Sequence, residues 1–363
     1  MSSASFLQTP AWATVKPDWR AESLGWFDGQ TLRGVALVLY RPIPRLKWSL
    51  AYVPEGPVID YSGAPTPGEL KRWLDPLAAH TKAAGAFALR IGPPELTHAW
   101  SAATLKAGLA DESVLRLSAL TPDITHPAGV AVTDYLRGAG WLPVGEGEGF
   151  AAGQPAYNFT LPLVTAEGEP LDEDALLAGM NQLWRRNIRK AAKLGVSVDV
   201  GTREDMAEFH RIYVETAARD GFTPRPLSYF LQMWDALNGE DPDRMRLFMT
   251  RHEGDLVASA IYVQVGTHAW YAYGASTTHK RDVRGSNAMQ WRMMTEALSR
   301  GAHEYDMRGI TDTLDASDRH VGLINFKLGT GGIAVHRCGE WDLPIRRTLY
   351  KGFMWYLARR ESR

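Results

Sequence analysis

Basic side chains gather in three short segments of a chain whose overall charge is close to zero. The 363 residues include 40 lysines and arginines against 41 acidic residues, which leaves a formal net charge of −1. The basic segments are Trp184–Lys193, His279–Arg284 and Arg346–Arg363, and the last also carries four aromatic residues: Tyr350, Phe353, Trp355 and Tyr356. Local basic patches on a neutral protein indicate a confined contact with an anionic partner. A solvated helix face explains Trp184–Lys193 equally well, because helix C-termini attract basic residues.

Catalysis through a covalent enzyme intermediate or a bound metal finds no support in the residue types. The one cysteine, Cys338, excludes a disulfide framework and a cysteine-based metal site. The histidines are scattered without metal-ligand spacing, and no G-x-S-x-G turn presents a serine nucleophile. The sequence therefore predicts that bound substrates react directly with one another, without a metal or another cofactor.

Two pairs of residues have spacings that bring their side chains together. Arg225 and Tyr229 are four residues apart, so one helical turn would place both on one face, where the guanidinium could bind a phosphate group bidentately. An exposed arginine beside a packed tyrosine is the alternative. Tyr271 and Tyr273 stand two residues apart just before Gly274, which predicts that both lie on one face of a strand.

The elements that must position these residues follow a plan that the chain carries twice. A strand–turn–strand run at Leu24–Tyr40 returns at Leu247–Val265, and each run is followed by an apolar strand, a helical stretch and a closing strand. The closing strands, Gly85–Gly92 and Gly301–Gly309, also match. Because self-similarity at a fixed offset marks a repeated structural unit, the sequence predicts an internal duplication of a β-β-α-β unit.

Length and element order predict two domains of the α/β (α+β) class. Strands alternate with helices, and 363 residues exceed one ordinary core. We expect a first domain at residues 1–155, a second at 156–345, and a basic C-terminal helix at 346–363 that packs back on the first domain or lies on a membrane surface. Leu171–Gly195 predicts one long helix that begins acidic and ends basic. No segment resembles a signal peptide or a membrane span, which favours a cytoplasmic protein.

Four segments match recurring pieces of a known enzyme family. They are Phe6–Trp12 with Lys16, Trp184–Ala191, Trp270–Ser276 and Asn325–Gly332, and they follow one another in that order on the duplicated frame. Over nearly its whole length the chain thus resembles the Fem family of peptidoglycan-bridge aminoacyltransferases. The resemblance implies two tandem domains of the GNAT acyltransferase fold. A long charged coiled-coil insertion, which some members carry, is not expected because no heptad run occurs.

The resemblance implies an enzyme that moves an amino acid from aminoacyl-tRNA to the side-chain amine of a peptidoglycan precursor stem, and so builds the interpeptide bridge. Glycine is the first expectation for the amino acid, followed by alanine or serine. The acceptor would be a muramyl pentapeptide linked to lipid or to UDP, and the sequence does not decide between them. A monomer is expected. The basic C-terminus is either a peripheral contact with the inner membrane face or a packed closing helix.

The resemblance also assigns Phe326 and Lys327 to the acceptor end of the tRNA. Phe326 would stack on a terminal base, and Lys327 would lie beside the ester that is cleaved. An ammonium there would stabilise the developing oxyanion and could protonate the leaving ribose oxygen. The glycines at 329, 331 and 332 favour this role because they let another backbone approach closely. A surface lysine and a core phenylalanine are the alternatives.

Further residues are implied as substrate ligands. Arg225 and Tyr229 would hold the precursor diphosphate with Lys16 as a partner, and Tyr271 or, preferably, Tyr273 would line the precursor site. The residues that would meet tRNA phosphates are Arg185, Arg186, Arg189 and Lys190.

The sequence has three alternative functional interpretations. A coenzyme A acyltransferase is disfavoured, since GNAT enzymes bind pyrophosphate on a glycine-rich turn at a helix N-terminus and here Arg284 and Ser286 replace the glycines. In the first copy, Pro65 and Pro67 remove two N–H donors from such a turn. An aminoacyl-tRNA-dependent transferase acting on a phospholipid or a protein N-terminus is a second alternative. A non-catalytic protein that binds tRNA or precursor is the third.

Overall fold

The computed structural model describes residues 4–145 and 153–361, which form two compact units. The N-terminal unit comprises residues 7–100, 121–145, 153–157 and 335–361, and the C-terminal unit comprises residues 4–6, 101–120 and 158–334. The units therefore differ from the continuous ranges 1–155 and 156–345. Residues 101–120 join the C-terminal unit, where the Leu117 N–H donates to the Asp312 carbonyl. Residues 335–361 join the N-terminal unit because they supply it with a strand and a helix.

The strands of the described residues are β1 (Arg20–Asp28), β2 (Thr31–Pro42), β3 (Ser49–Val53), β4 (Ala86–Ile91), β5 (Leu96–Trp100), β6 (Ile124–Thr125), β7 (Leu142–Val144), β8 (Tyr157–Pro162), β9 (Ser197–Gly201), β10 (Met245–His252), β11 (Asp255–Val265), β12 (His268–Ser276), β13 (Glu304–Gly309), β14 (Ile333–Arg337) and β15 (Glu340–Pro344). The α-helices are α1 (Pro67–Ala83), α2 (Ala102–Ala110), α3 (Pro127–Gly138), α4 (Glu173–Gly179), α5 (Gln182–Lys193), α6 (Met206–Asp220), α7 (Leu227–Glu240), α8 (Gly285–Ser299), α9 (Val321–Leu328) and α10 (Arg347–Glu361).

The N-terminal unit contains the first copy of the predicted plan. Strands β1, β2 and β3 are antiparallel neighbours, and β4 returns parallel to β3 after helix α1. Strands β15 and β7 then extend the sheet beyond β4. Helix α1 begins at a capping box, in which Thr66 and Glu69 each accept the other's backbone N–H on a side-chain oxygen. Its apolar stripe of Leu70, Leu74 and Leu77 is buried in the core of this unit.

The C-terminal unit repeats the plan with strands β10, β11 and β12, helix α8, and strand β13. The first three strands are antiparallel, and β13 is parallel to β12. Strand β9 pairs with β10 and strand β8 with β13. Both hairpins carry the same irregularity, because one residue of the second strand has no partner across the ladder: Arg33 in β2 and Val257 in β11. The predicted duplication is therefore confirmed down to the position of a β-bulge.

The two copies differ where the third strand meets the closing strand. Strands β3 and β4 stay paired from Ser49 to Val53, which is the whole of β3. Strands β12 and β13 pair only from His268 to Trp270, although β12 continues to Ser276. Backbone N–H and C=O groups that are not paired with a neighbouring strand need other hydrogen-bond partners. The backbone groups at the C-terminal end of β13, where it separates from β12, must therefore bond to another part of the protein.

The prediction of one long helix at Leu171–Gly195 is wrong, because the chain forms two helices there. Helix α4 ends at Gly179, and α5 begins after Asn181, whose side chain accepts the N–H of Trp184 at 2.9 Å. An asparagine N-cap starts a new helix because it satisfies an N–H that has no intrahelical partner. Gly195 follows the end of α5 in the left-handed conformation, with a φ of 75°, as is common for the glycine just after a helix.

The basic C-terminal segment forms helix α10. One side of it packs on the sheet of the N-terminal unit, where Tyr350 joins Leu50, Phe87 and Ala88 in a buried cluster. The Phe353 ring meets Phe87 edge to face at 5.2 Å. Across the described part of the chain, we find no helix with the length and apolar character that a membrane span needs.

Candidate functional site

A cavity of about 440 Å³ opens at the N-terminus of α8 in the C-terminal unit. Its wall includes the first turn of α8 and the side chains of Arg281, Arg284, Trp184 and Phe326. First-turn N–H groups of a helix have no intrahelical acceptor, and the helix dipole is positive there. Neither arginine forms an ion pair within the described residues, whereas Lys280 is paired with two acidic side chains at 2.9 Å each. The cavity therefore suits an anionic group.

Phe326 lies half-buried on helix α9 and is fixed by Trp184. The two ring centroids are 4.8 Å apart, and the indole N–H of Trp184 donates to the Phe326 carbonyl at 2.8 Å. Trp184 is 3% exposed, so α5 turns this residue inward while its arginines face outward. The family resemblance and the basic residues of this segment assign no role to Trp184 itself. The buried positions of the segment, Trp184, Asn187 and Ala191, follow helical spacing and were the available signal.

The glycines after Lys327 serve contacts within this chain. A Cβ at Gly329 would overlap the Trp184 indole, and one at Gly331 would overlap the carbonyl oxygen of Gly179. The prediction that glycine permits a close backbone approach is confirmed, but the approaching backbone is the end of α4. These glycines consequently give no separate support to a role for Lys327 in tRNA binding.

Lys327 is neither on a strand nor at the surface. It lies on α9, is 3% exposed, and its ammonium donates to the carbonyls of Arg308 at 3.1 Å and Gly309 at 2.7 Å. Arg308 has a φ of 63°, and its N–H donates to the carboxylate of Asp306 at 2.6 Å. Burial lowers the pKa of Lys327 to about 7, against the opposing charge of Asp306. Lys327 thus supplies hydrogen bonds to the backbone carbonyls at the end of β13, where this strand has separated from β12.

Arg225, Tyr229 and Tyr273 form a second group in the C-terminal unit. Arg225 precedes α7 rather than sharing a helical turn with Tyr229, yet its guanidinium lies 5.4 Å from the Tyr229 ring. The hydroxyl oxygens of Tyr229 and Tyr273 are 3.2 Å apart. Burial raises the pKa of Tyr229 well above its usual range. The exposed arginine beside two phenol hydroxyls gives this group the hydrogen-bond donors that a phosphate oxygen needs.

Tyr271 does not share a strand face with Tyr273, so that prediction is wrong. Tyr273 pairs with Ile261 and Tyr271 with Tyr262, and these neighbours on β11 point to opposite faces. Ala272 is the extra residue of a β-bulge, which breaks the period of two. The Tyr271 hydroxyl instead folds over Gly274, where any Cβ would overlap it. Burial raises the pKa of Tyr271 to about 12.

The arginines of α5 line a second cavity of about 570 Å³ between α4 and α5, formed in part by Arg185, Arg186 and Arg189. Lys190 is exposed on the same helix. Lys16 lies in the N-terminal unit, half-buried, with its ammonium 5.4 Å from the Trp19 ring.

One group that sequence reasoning missed could hold a metal ion. His268, Glu304 and Asp306 bring a ring nitrogen and two carboxylate oxygens within 4.8 Å of one another. Histidine spacing gave no sign of this group, because the two acids come from β13 and reach His268 only through parallel pairing. The ring of His268 is also stacked on Trp270, with centroids 3.9 Å apart.

Comparison with known proteins gives consistent matches along the chain. The model of the FemAB family matches residues 1–242 and 243–356. A relative from Staphylococcus aureus (strain MRSA252), named lipid II:glycine glycyltransferase, is 24% identical over 95% of this chain and 89% of its own length. The crystal structure of FemX superposes with a TM-score of 0.76 at 23% identity, over 96% of this chain and 94% of that chain. The duplicated α/β fold predicted from the sequence is confirmed by this likeness.

Proposed function

The chain belongs to the FemAB family, and on that premise we propose that it transfers an amino acid from aminoacyl-tRNA to the stem peptide of a peptidoglycan precursor. Glycine and a lipid-linked acceptor come first, because the Staphylococcus aureus relative is named for that transfer. Alanine and serine, and a UDP-linked muramyl pentapeptide, follow as the alternatives. The cavity at the N-terminus of α8 is the observation that carries the proposal.

The donor end of the tRNA is assigned to this cavity. Arg281, Arg284 and the first turn of α8 offer positive charge and backbone N–H groups for a terminal phosphate. Phe326 and Trp184 supply aromatic surface in the same wall, on which a terminal base could stack. A coenzyme A pyrophosphate has a related chemistry, but the arginine side chain at position 284 takes the place of the glycine that allows close phosphate approach. The groove lined by Arg185, Arg186 and Arg189 would meet phosphates farther along the RNA.

The acceptor is assigned to Arg225, Tyr229 and Tyr273. The exposed guanidinium of Arg225 suits the diphosphate that either form of the precursor carries, and the phenol hydroxyls beside it can donate to the same group. Lys16 in the N-terminal unit stays a prediction as a further phosphate ligand. The cytoplasmic location and the monomeric state of the protein also stay predictions.

The reaction needs no enzyme nucleophile. The stem-peptide amine attacks the ester carbonyl carbon, a C–N bond forms, and the C–O bond to the ribose breaks. The amine loses a proton and the ribose oxygen gains one. With a pKa of about 7, Lys327 can both give and accept a proton near neutrality. The Lys327 ammonium is bonded to the carbonyls of Arg308 and Gly309. Lys327 therefore acts on the ester either directly, after breaking these hydrogen bonds, or indirectly, by holding the end of β13 in place.

A direct assay decides the proposal. Purified protein is mixed with glycyl-, alanyl- or seryl-tRNA and with lipid-linked or UDP-linked muramyl pentapeptide as the acceptor. The molecular mass of the acceptor is then measured by mass spectrometry. We expect a gain of one amino-acid residue with at least one pair. No gain with any pair, while acetyl-coenzyme A is consumed, would show an ordinary acetyltransferase instead. Phospholipid and a peptide with a free N-terminus serve as the competing acceptors.

Site assignment needs matched variants. Arg281→Gln with Arg284→Gln should raise the KM for charged tRNA by tenfold or more, because two phosphate contacts are lost. Arg225→Gln should raise the KM for the precursor and leave that for tRNA unchanged. Arg137→Gln is the control, since this arginine lies exposed on α3, where its guanidinium pairs with Asp134 of the preceding helical turn and lies 5.7 Å from the Trp341 ring.

A further inference from the structure

The N-terminal unit carries a cationic face with exposed apolar side chains, built from helix α10 and the β2–β3 turn. The segments 41–48 and 346–361 together contain eight lysines and arginines and a single acid, Glu361, in a chain with nearly equal numbers of both charges. We call this surface the α10 face. Its exposed side chains include Arg45, Leu46, Lys47, Arg347, Lys351 and Trp355.

Helix α10 has two sides of different character. Its inner side, with Tyr350 and Phe353, packs on the sheet, while Arg347, Lys351 and Trp355 follow one another at four-residue intervals on the outer side. All three outer residues are exposed, and the tryptophan is 59% exposed. No described acidic residue forms an ion pair with Arg347 or Lys351. Their charges are therefore available to an external partner.

The β2–β3 turn continues this face. Trp48 packs in the same apolar cluster as α10, and the guanidinium of Arg346 lies 3.6 Å above its ring. The turn is closed by the Leu46 N–H, which donates to the Ile43 carbonyl at 3.1 Å. Arg45 has a φ of 67°, a left-handed conformation that a non-glycine residue adopts only where its surroundings hold it. At the tip of this turn Leu46 is 51% exposed, between the cations Arg45 and Lys47.

We propose that the α10 face binds the surface of a bilayer that contains anionic phospholipid. Exposed tryptophan and leucine amid lysine and arginine is the composition of a peripheral membrane contact, in which the cations meet the headgroups and the apolar side chains enter the interface. The aliphatic Leu46 distinguishes this surface from an RNA site, because bases stack on aromatic rings and phosphates need only cations. Charge complementarity with phosphatidylglycerol thus determines the partner. The contact is independent of the proposed transfer reaction, and it would bring the enzyme to any acceptor held in the bilayer.

The test is co-sedimentation of the whole protein with vesicles, without tRNA or precursor. We expect binding to mixed phosphatidylcholine–phosphatidylglycerol vesicles, much weaker binding to pure phosphatidylcholine, and release by high salt. Arg347→Gln with Lys351→Gln should lower the partition coefficient by about fivefold per charge removed. Trp355→Ala and Leu46→Ser should lower it further without altering the salt dependence.

The control is Lys71→Gln with Arg72→Gln, which removes the same charge from exposed positions on α1 of the same unit. Melting temperatures close to that of the unchanged protein would show that every variant is folded. Equal losses in the control and in the α10-face variant would refute the proposal, as would equal binding to both kinds of vesicle. If the α10-face variant keeps vesicle binding and loses affinity for tRNA, the surface is an RNA site and the proposal is wrong. A failed transfer assay would leave these results intact.

Discussion

Replacing Lys327 by methionine should change how stability depends on pH, in a direction that the structure fixes. Burial lowers the pKa of Lys327 to about 7 from an ordinary 10.5. Between these two values the unfolded chain binds one proton more than the folded protein, so this lysine makes the unfolding free energy rise with pH. At about 1.4 kcal/mol per pH unit, the whole window corresponds to about 5 kcal/mol, and the part from pH 7 to pH 9 to about 2 kcal/mol.

The assay is urea denaturation of both proteins at a series of pH values. Other titrating groups cancel in the difference between them, so we expect the wild type to gain about 2 kcal/mol relative to Lys327→Met between pH 7 and pH 9. At pH 7 two effects oppose each other. The variant no longer buries a lysine, but the carbonyls of Arg308 and Gly309 lose their donor, at about 1–3 kcal/mol each.

Two comparisons make the outcome decisive. Lys71→Met, at an exposed position on α1, should give a difference that stays flat with pH. Parallel curves for wild type and Lys327→Met, within about 0.5 kcal/mol, would refute the argument that burial depresses this pKa. In the transfer assay Lys327→Met should lower kcat about a hundredfold, because a general acid or charge stabiliser is lost. Full activity would remove Lys327 from the proposed mechanism.

Three other changes test particular contacts. Burial raises the pKa of Glu340 from an ordinary 4.5 to about 7. Between these two pH values the folded protein binds one proton more than the unfolded chain, so the unfolding free energy of the wild type falls as pH rises through this window. Glu340→Gln should therefore gain about 2 kcal/mol relative to wild type between pH 5 and pH 8, measured by denaturation. Gly274→Ala should cost about 2 kcal/mol or more and lower the melting temperature, because a Cβ there displaces the Tyr271 hydroxyl. Trp184→Phe should cost about 1 kcal/mol, because the Phe326 carbonyl loses its donor, and an unchanged unfolding free energy would contradict that.

The sequence predicted the repeated frame because that frame depends on local patterns. Turns with glycine, apolar strands and an amphipathic helix recur at one offset, and the strands form where they were expected. The face of Tyr271 could not be predicted, since one bulged residue reverses the alternation and no local residue type marks it. The break between α4 and α5 was visible in principle, because Asn181 is a good N-cap residue.

Residues whose neighbours come from distant segments were the least predictable. A lysine such as Lys327 is expected at the surface from its residue type, and only the fold brings its ammonium against the carbonyls of β13. His268 and Asp306 lie near each other for the same reason, through a parallel ladder that joins segments separated by a helix. A side chain's role in such places depends on partners that spacing along the chain does not encode.

The contrast between the two copies explains why the candidate chemistry lies in one of them. Continuous pairing of β3 with β4 satisfies the backbone of the first copy and leaves no opening between these strands. In the second copy the pairing stops at Trp270, and the free end of β13 takes its hydrogen bonds from a buried lysine on α9. That lysine is followed by the glycines that seat α9 against α4 and Trp184, and Trp184 in turn holds Phe326 in the cavity wall. The parted strands, the buried lysine and the aromatic wall are thus connected by direct contacts. A change that restored full pairing of β12 with β13 would remove the carbonyl acceptors of Lys327, and we expect it to abolish transfer while leaving the fold of the first copy unchanged.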